Sequence, residues 1–172
     1  DIDARFQHDV FASKHTFEDQ PRLADHAFDI AEMMGAKIIR VFSYWRTVEP
    51  RQAYPAVVEA LTWLSETAAA RGLIIGLANE HGCNISTAAD AAEILAALQH
   101  PNLQLVWDPA NALCSGENPF PEGYAKLPKD RIVHVHTKDC HIEGHKPVWG
   151  PLGTRAVDWK GQIAALLADG YQ

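Results

Sequence analysis

One feature constrains this chain more than any other: short apolar, β-branched runs alternate with stretches of helical periodicity. The runs are Lys37–Phe42, Gly72–Ala78, Asn102–Trp107 and Arg131–His136. Each has the length and the Ile, Val and Leu content of a buried strand. A weaker run lies at Ala4–Phe11, a candidate fifth strand. Between the runs, helices are predicted over Asp19–Met34, with Leu23, Ala27, Ile30, Ala31 and Met34 on one stripe, and over Pro55–Arg71, with Val57, Leu61, Leu64 and Ala68. Gly35 and Gly72 stand where such helices stop. Thr87-x-x-Asp90 reads as a capping box ahead of Ala91, Ile94, Leu95 and Leu98, with Pro101 beyond the end. A last helix is predicted from Asp158 through Trp159, Ile163, Leu166 and Leu167 to Gly170. These stripes read as core faces.

Alternating strands and helices imply a parallel α/β sheet covered by helices. Two architectures satisfy that pattern, an open doubly wound sheet and a closed (β/α) barrel. No glycine-rich loop follows any run, which leaves a dinucleotide or nucleotide phosphate site without support. With 172 residues, one domain over 1–172 is the default. The net charge of −7 and the lack of a basic stripe argue against nucleic acid as a partner. Three cysteines without a paired spacing suit a reducing compartment, so a cytoplasmic location is expected. No apolar stretch approaches the ~20 residues of a membrane span, and no membrane partner is expected.

Potential chemistry is concentrated where the runs end. Asn79-Glu80-His81, Asp108-Pro109-Ala110-Asn111 and His134-Val135-His136-Thr137-Lys138-Asp139 follow three successive strands, and Glu80, Asp108 and His136 are spaced by 28 residues each. One βα repeat per interval brings all three to the C-terminal rim of a parallel sheet, the place where such folds carry their sites. Two carboxylates and an imidazole form an oxygen and nitrogen set suited to Mn, Co, Mg or Zn. Strand alternation puts Asp108, Val106 and Gln104 on the inner face and Trp107, Leu105 and Leu103 against the helices. The same rule makes His134 and His136 co-facial, with His136 the better ligand and His134 a group that orients it. The competing reading of Asp108 is a helix cap. Lys138 is placed to reach an anionic substrate group or is a surface lysine. Phe42, Tyr44 and Trp45 could wall a sugar or simply pack. His141 and His145 read as part of a solvated loop.

Several of these segments, taken in order, resemble the sugar phosphate isomerase/epimerase family, the xylose isomerase-like TIM barrels. They are Gly35–Ser43, Asn79-Glu-His-Gly82, Trp107-Asp-Pro-Ala-Asn111 and Val133-His-Val-His-Thr-Lys-Asp139, then Leu152-Gly153 and Val157-Asp158-Trp159. The resemblance implies a divalent metal at the barrel mouth, with Asp108 and His136 on the family's Asp and His ligand positions and Asn111 close to substrate. It also implies isomerase or epimerase chemistry on a small sugar or keto sugar through an enediolate. Ala78 stands where the family carries a ligand and acid/base Glu. Glu80, two residues onward, is the local substitute as catalytic base or third ligand, and His81, Asn111 and Lys138 are the expected substrate contacts. Leu152-Gly153-Thr154-Arg155 lacks the Glu of the family's turn. A full barrel needs about 250 residues, so a partial barrel of about five of eight βα units is expected, with open edges that favour a homo-oligomer. A dehydratase of inosose type, or a catalytically degenerate barrel fragment, are the alternatives. A relative that cleaves abasic DNA is disfavoured by the charge.

Overall fold

A computed structural model describes residues 17–172. The elements in chain order are α1 (Gln20–Met34), β1 (Ile38–Val41), α2 (Tyr54–Ala70), β2 (Ile74–Ala78), α3 (Ala88–Ala97), β3 (Leu103–Trp107), α4 (Pro109–Cys114), β4 (Ile132–Val135), β5 (Asp139–Glu143), β6 (Lys146–Gly150) and α5 (Trp159–Ala168). Each of the four clear apolar runs thus forms a strand. The run at Ala4–Phe11 lies outside the described residues.

The local signals act as their chemistry requires. Gly35 takes a left-handed φ of 69° and donates its N–H to the carbonyls of Ala31 and Glu32, which ends α1. Asp90 N–H donates to Thr87 Oγ1 at 3.0 Å, and Thr87 N–H donates back to Asp90 Oδ2 at 3.1 Å, so the capping box is complete. Asp158 caps α5 by accepting from Gly161 N–H at 2.9 Å.

Strand order settles the architecture. β1 to β4 form one parallel sheet in the order β1-β2-β3-β4, each strand beside its predecessor in sequence. An open doubly wound sheet reverses direction at a switch point; this sheet never reverses, so it is an arc of a (β/α) barrel. Leu103, Leu105 and Trp107 are wholly buried against the helices, together with Ile75, Leu61, Ile94 and Phe28. The buried Trp107 indole is not left unpaired: it donates to Gln162 Oε1 at 3.2 Å, and Gln162 Nε2 donates to Pro119 O at 3.0 Å. On the other face, Ile38 and Phe42 are 36% and 41% exposed, and Arg40 and His134 are open as well. The outer layer is therefore a packed core, while on the inner face the side chains of β1 and β4 are open and Ala78 and Val106 of the two middle strands are buried.

At the end of the sheet away from the strands' C-termini, Arg131 collects carbonyls. It donates to Leu95 O at 2.7 Å and to Leu103 O at 2.5 Å, and further to Leu98 O and His100 O. This joins the end of α3 to the starts of β3 and β4, and satisfies carbonyls that the last turn of a helix leaves unpaired.

One sequence expectation is corrected. The segment holding His141 and His145 is no irregular loop: β5 and β6 pair antiparallel from Asp139↔Gly150 to Glu143↔Lys146. Gly144, with φ 63°, opens the two-residue turn, a conformation that costs glycine little. His145 stays exposed at the tip, and His141 is half-buried within β5. No helix among the described residues is long and apolar enough to cross a membrane.

Candidate functional site

The site is assembled on Asn79, the residue directly after β2, which is fully buried. Its Oδ1 accepts from Asp108 N–H at 2.8 Å, while its Nδ2 donates to Asp108 O at 2.9 Å and to Ser86 O at 3.2 Å. The amide thus takes the place of a strand neighbour and locks the end of β2 to the end of β3. Asp108 is held at both backbone groups before its side chain does anything.

That side chain is divided between two tasks. Oδ1 accepts from Asn111 N–H at 3.0 Å and so caps α4, whose start is preorganised by Pro109. Oδ2 is buried and receives no hydrogen bond of acceptable direction, although Lys138 Nζ lies 3.0 Å away and His136 Nδ1 3.6 Å away. Asp108 is thus a helix cap through Oδ1, and Oδ2 is left facing Lys138 and His136. His136 is set by the ladder, since its N–H donates to Trp107 O at 2.9 Å. Burial holds its imidazole below the ordinary value, with Arg40, His134 and Lys138 acting in the same direction against the pull of Asp108. The neutral ring that results is the form able to offer a lone pair. His134 meets His136 edge to face with ring centroids 5.4 Å apart, a packing contact on the shared inner face.

Asn111 links the carboxylates. Its Nδ2 donates to Asn79 O at 2.8 Å and to Glu80 Oε2 at 3.1 Å, and its Oδ1 accepts from Lys138 Nζ at 2.7 Å. Glu80 is not a continuation of the β2 face. The strand ends at Ala78, and Glu80 opens a turn in which Cys83 N–H donates to its carbonyl at 2.8 Å. The Glu80 side chain therefore pairs with its neighbour: His81 Nδ1 lies 2.6 Å from Glu80 Oε1 and 3.1 Å from Asn111 Oδ1. Both partners are acceptors, which puts a proton on Nδ1. Burial pushes the Glu80 carboxyl upward, but the His81 hydrogen bond and charge, Lys138 and Asn111 outweigh it and hold the group down at about 2. The Glu80 hydrogen bond raises His81 above its ordinary value against the effect of burial.

The aromatic trio after β1 separates. Phe42 stacks under the Arg40 guanidinium at 4.7 Å on the inner face, while Trp45 bridges to Cys83 and covers Gly82 in the turn that carries Glu80 and His81. Two contributors escaped the sequence reading. Asn79 was legible only as the polar neighbour of Glu80. Trp149, on β6, lies with its ring 5.0 Å from Lys138 Nζ, and nothing in the linear sequence ties it to that lysine.

The expected divalent ion can be tested against these donors. A buried carboxylate oxygen without a hydrogen bond, beside a neutral imidazole, fits one half of such a site. Among the described residues no group of three or more His, Cys, Asp or Glu side chains is arranged to hold a metal ion. Glu80 is turned to His81 and Asn111 instead of to Asp108 and His136.

The xylose isomerase-like TIM barrel family model matches residues 12–172. No curated protein matches the chain. Among solved structures, the IOLI protein with a bound zinc atom superposes with a TM-score of 0.74 at 21% identity, over 88% of this chain and 57% of that one. The probable 3-DHS dehydratase AsbF from Bacillus anthracis gives 0.74 at 18% identity, over 93% of this chain and 64% of its own. A D-tagatose 3-epimerase-like protein gives 0.72 at 21% identity, over 91% and 62%. At these identities the likeness is one of fold, and the chain spans less than two thirds of each of these proteins. The arc of parallel strands, the rim that gathers Asp108, His136 and Lys138, and the family match over nearly all of its length agree: the chain belongs to the xylose isomerase-like TIM barrel family.

Proposed function

We propose that the rim moves a proton beside the carbonyl of a small sugar or keto sugar, as an isomerase or epimerase working through an enediolate. The observation that carries this reading is the single polar network from His81 and Glu80 through Asn111 and Lys138 to Asp108 and His136, which spans the ends of β2, β3 and β4. Glu80 and His81 act as a pair. Glu80 stays ionised and orients the ring through Nδ1, so that at pH above the raised pKa of His81 the Nε2 of its neutral ring can take the proton from the substrate carbon and return it to the neighbouring one. Lys138 and Asn111 bind substrate oxygens, the ammonium favouring the oxygen that gains negative charge. A divalent ion, Mn, Co, Mg or Zn, held by Asp108 and His136 would supply Lewis-acid polarisation of the carbonyl.

Solvent deuterium exchange into candidate ketoses, measured with added Mn, tests the reading. Exchange by the intact chain that is lost in Asp108→Ala and His136→Ala supports it, and unchanged exchange refutes it. The fold shared with a probable dehydratase keeps a second reading, loss of water from the same enolate. Product mass separates the two, since isomerisation conserves it and dehydration lowers it by one water. For assembly, we propose that a second copy of the chain covers the exposed inner-face side chains of β1 and β4, Ile38, Phe42 and His134 among them.

A further inference from the structure

Cys114 and Cys140 stand 26 residues apart in the chain, and no spacing in the sequence pairs them. The fold brings them together: their sulfurs lie 3.7 Å apart as free thiols. Cys114 is the last residue of α4 and is partly exposed, while Cys140, the second residue of β5, is wholly buried beside Ala110, Val157 and Trp159. Both segments are anchored. Ser115 N–H donates to Asn111 O at 3.1 Å at the end of α4, and Cys140 O accepts from Ala156 N–H at 3.0 Å. Beside Cys140, the Asp139 carboxylate accepts from Arg155 N–H at 2.9 Å and from Val157 N–H at 3.1 Å. A disulfide sets its sulfurs about 2.05 Å apart, so this pair needs to close by about 1.7 Å, a movement of side chains between two fixed stretches of backbone.

We propose that Cys114 and Cys140 form an oxidation site, which a peroxide converts to a reversible disulfide that clamps α4 to β5. In the first step the Cys114 sulfur, as thiolate, attacks one peroxide oxygen. The O–O bond breaks, the sulfur is oxidised to a sulfenic acid and the peroxide is reduced to water. In the second step the Cys140 sulfur attacks the sulfenic sulfur, the S–S bond forms as the S–O bond breaks, and the departing hydroxide leaves with the Cys140 proton as water. Two thiols and one hydrogen peroxide thus give one disulfide and two waters. Cys114 meets the oxidant first because it is the exposed member of the pair. Burial pushes its thiol up to about 12 and raises Cys140 as well, so both rest protonated at neutral pH and the pair answers to sustained oxidant instead of traces.

The clamp lies directly behind the rim. Asn111 precedes Cys114 by three residues and Lys138 precedes Cys140 by two. Lys138 Nζ donates to Asn111 Oδ1 at 2.7 Å, and Lys138 O accepts from Trp159 Nε1 at 3.0 Å. Oxidation therefore ties by a covalent bond the two segments that Lys138 and Asn111 join by a hydrogen bond, and it closes a loop that restricts the unfolded chain.

The test treats the intact chain with hydrogen peroxide, unfolds it, alkylates the remaining thiols with iodoacetamide and reads the mass. Of the three free cysteines, only Cys83 is expected to be alkylated after oxidation, with Cys114 and Cys140 joined in a peptide pair that dithiothreitol separates. Cys83 is buried in the turn after β2, and its thiol is likewise pushed up to about 12. Cys83→Ala should crosslink as the intact chain does, Cys114→Ser should not crosslink, and Cys140→Ala should stop at a Cys114 sulfenic acid that dimedone traps. Circular dichroism checks that the variants are folded. Oxidation in urea is the control for the fold, because an unfolded chain spreads its pairing over all three cysteines. The crosslinked chain is expected to melt several degrees above the reduced one and to exchange its amides more slowly over 109–114 and 139–143. Three alkylated thiols after oxidation, irreversible oxidation of Cys114 with Cys140 left free, a crosslink through Cys83, or the same mixture of pairs with and without urea overturns the site. A crosslinked chain that melts no higher than the reduced one overturns the clamp.

Discussion

Asn79→Ala is the most informative single substitution because it removes a side chain that substitutes for backbone pairing. Three hydrogen bonds disappear, from Asp108 N–H and to the carbonyls of Asp108 and Ser86. The Asp108 carbonyl keeps a longer bond from Ala112 N–H at 3.3 Å, but its amide has no second acceptor among the described residues. Leaving a buried polar group unpaired costs about 1–3 kcal/mol each. With one donor stranded and two acceptors weakened, a loss of about 3 kcal/mol follows, or a fall of roughly 6–12 °C in Tm for a chain of this size. Asn79→Asp should do no better: it retains an acceptor for Asp108 N–H but turns a carboxylate oxygen toward two carbonyls. Urea unfolding followed by circular dichroism measures both variants. A loss under about 1 kcal/mol for Asn79→Ala with an unchanged m-value would show that the rim does not depend on this amide.

Thr87→Ala removes the α3 capping box and should cost about 1 kcal/mol, read as a small Tm decrease with the site unaffected. The Glu80–His81 pair makes stability depend on pH with opposite signs at its two limits. The depressed Glu80 contributes fully above its ordinary 4.5 and is lost as pH falls toward about 2, while the raised His81 contributes fully below 6.5 and is lost as pH rises through its elevated value. Denaturant midpoints across pH should therefore be highest between these limits, and Glu80→Gln should flatten both slopes and return His81 to its ordinary titration by NMR. Calorimetry with Mn tests the half-site: binding by the intact chain should be lost in Asp108→Ala and in His136→Ala, and binding that survives either change would remove that residue as a ligand. Light scattering should find a self-associated species, and a compact monomer with a cooperative, concentration-independent melt would refute the proposal that a second copy covers the inner face.

The strands and helices were legible because their signals are local. Ile, Val and Leu in short runs, Thr87 and Asp90 three residues apart, and glycine after a helical stripe each act within a few residues. The hairpin was not legible: Pro147 within β6 argues against a strand, and it is tolerated there because the two-stranded ribbon has an open edge. At the rim, Asp108 and His136 could be paired from their spacing, since the parallel register repeats once per βα unit. The orientation of Glu80 could not, because β2 ends at Ala78 and the turn beyond it is shaped by distant partners: Glu80 N–H donates to Ile85 O at 3.0 Å, Asn84 Nδ2 donates to Trp45 O at 3.0 Å, and Trp45 bridges to Cys83. The approach of Trp149 to Lys138 depends on how the hairpin folds back, which is a tertiary fact without a local sequence signal.

Arg131 gives the molecule a division of labour. Four carbonyls, those of Leu95, Leu98, His100 and Leu103, converge on one planar guanidinium at the end of the sheet remote from Asp108. A lysine at that position would bring a single nitrogen to a junction that uses a fork, so even this conservative exchange would release a helix end and two strand starts at once. Strand alignment is thus shared between two locks, Arg131 at the remote end and Asn79 at the rim, and rim residues outside the Asn79 lock can change while the strands beneath keep their register.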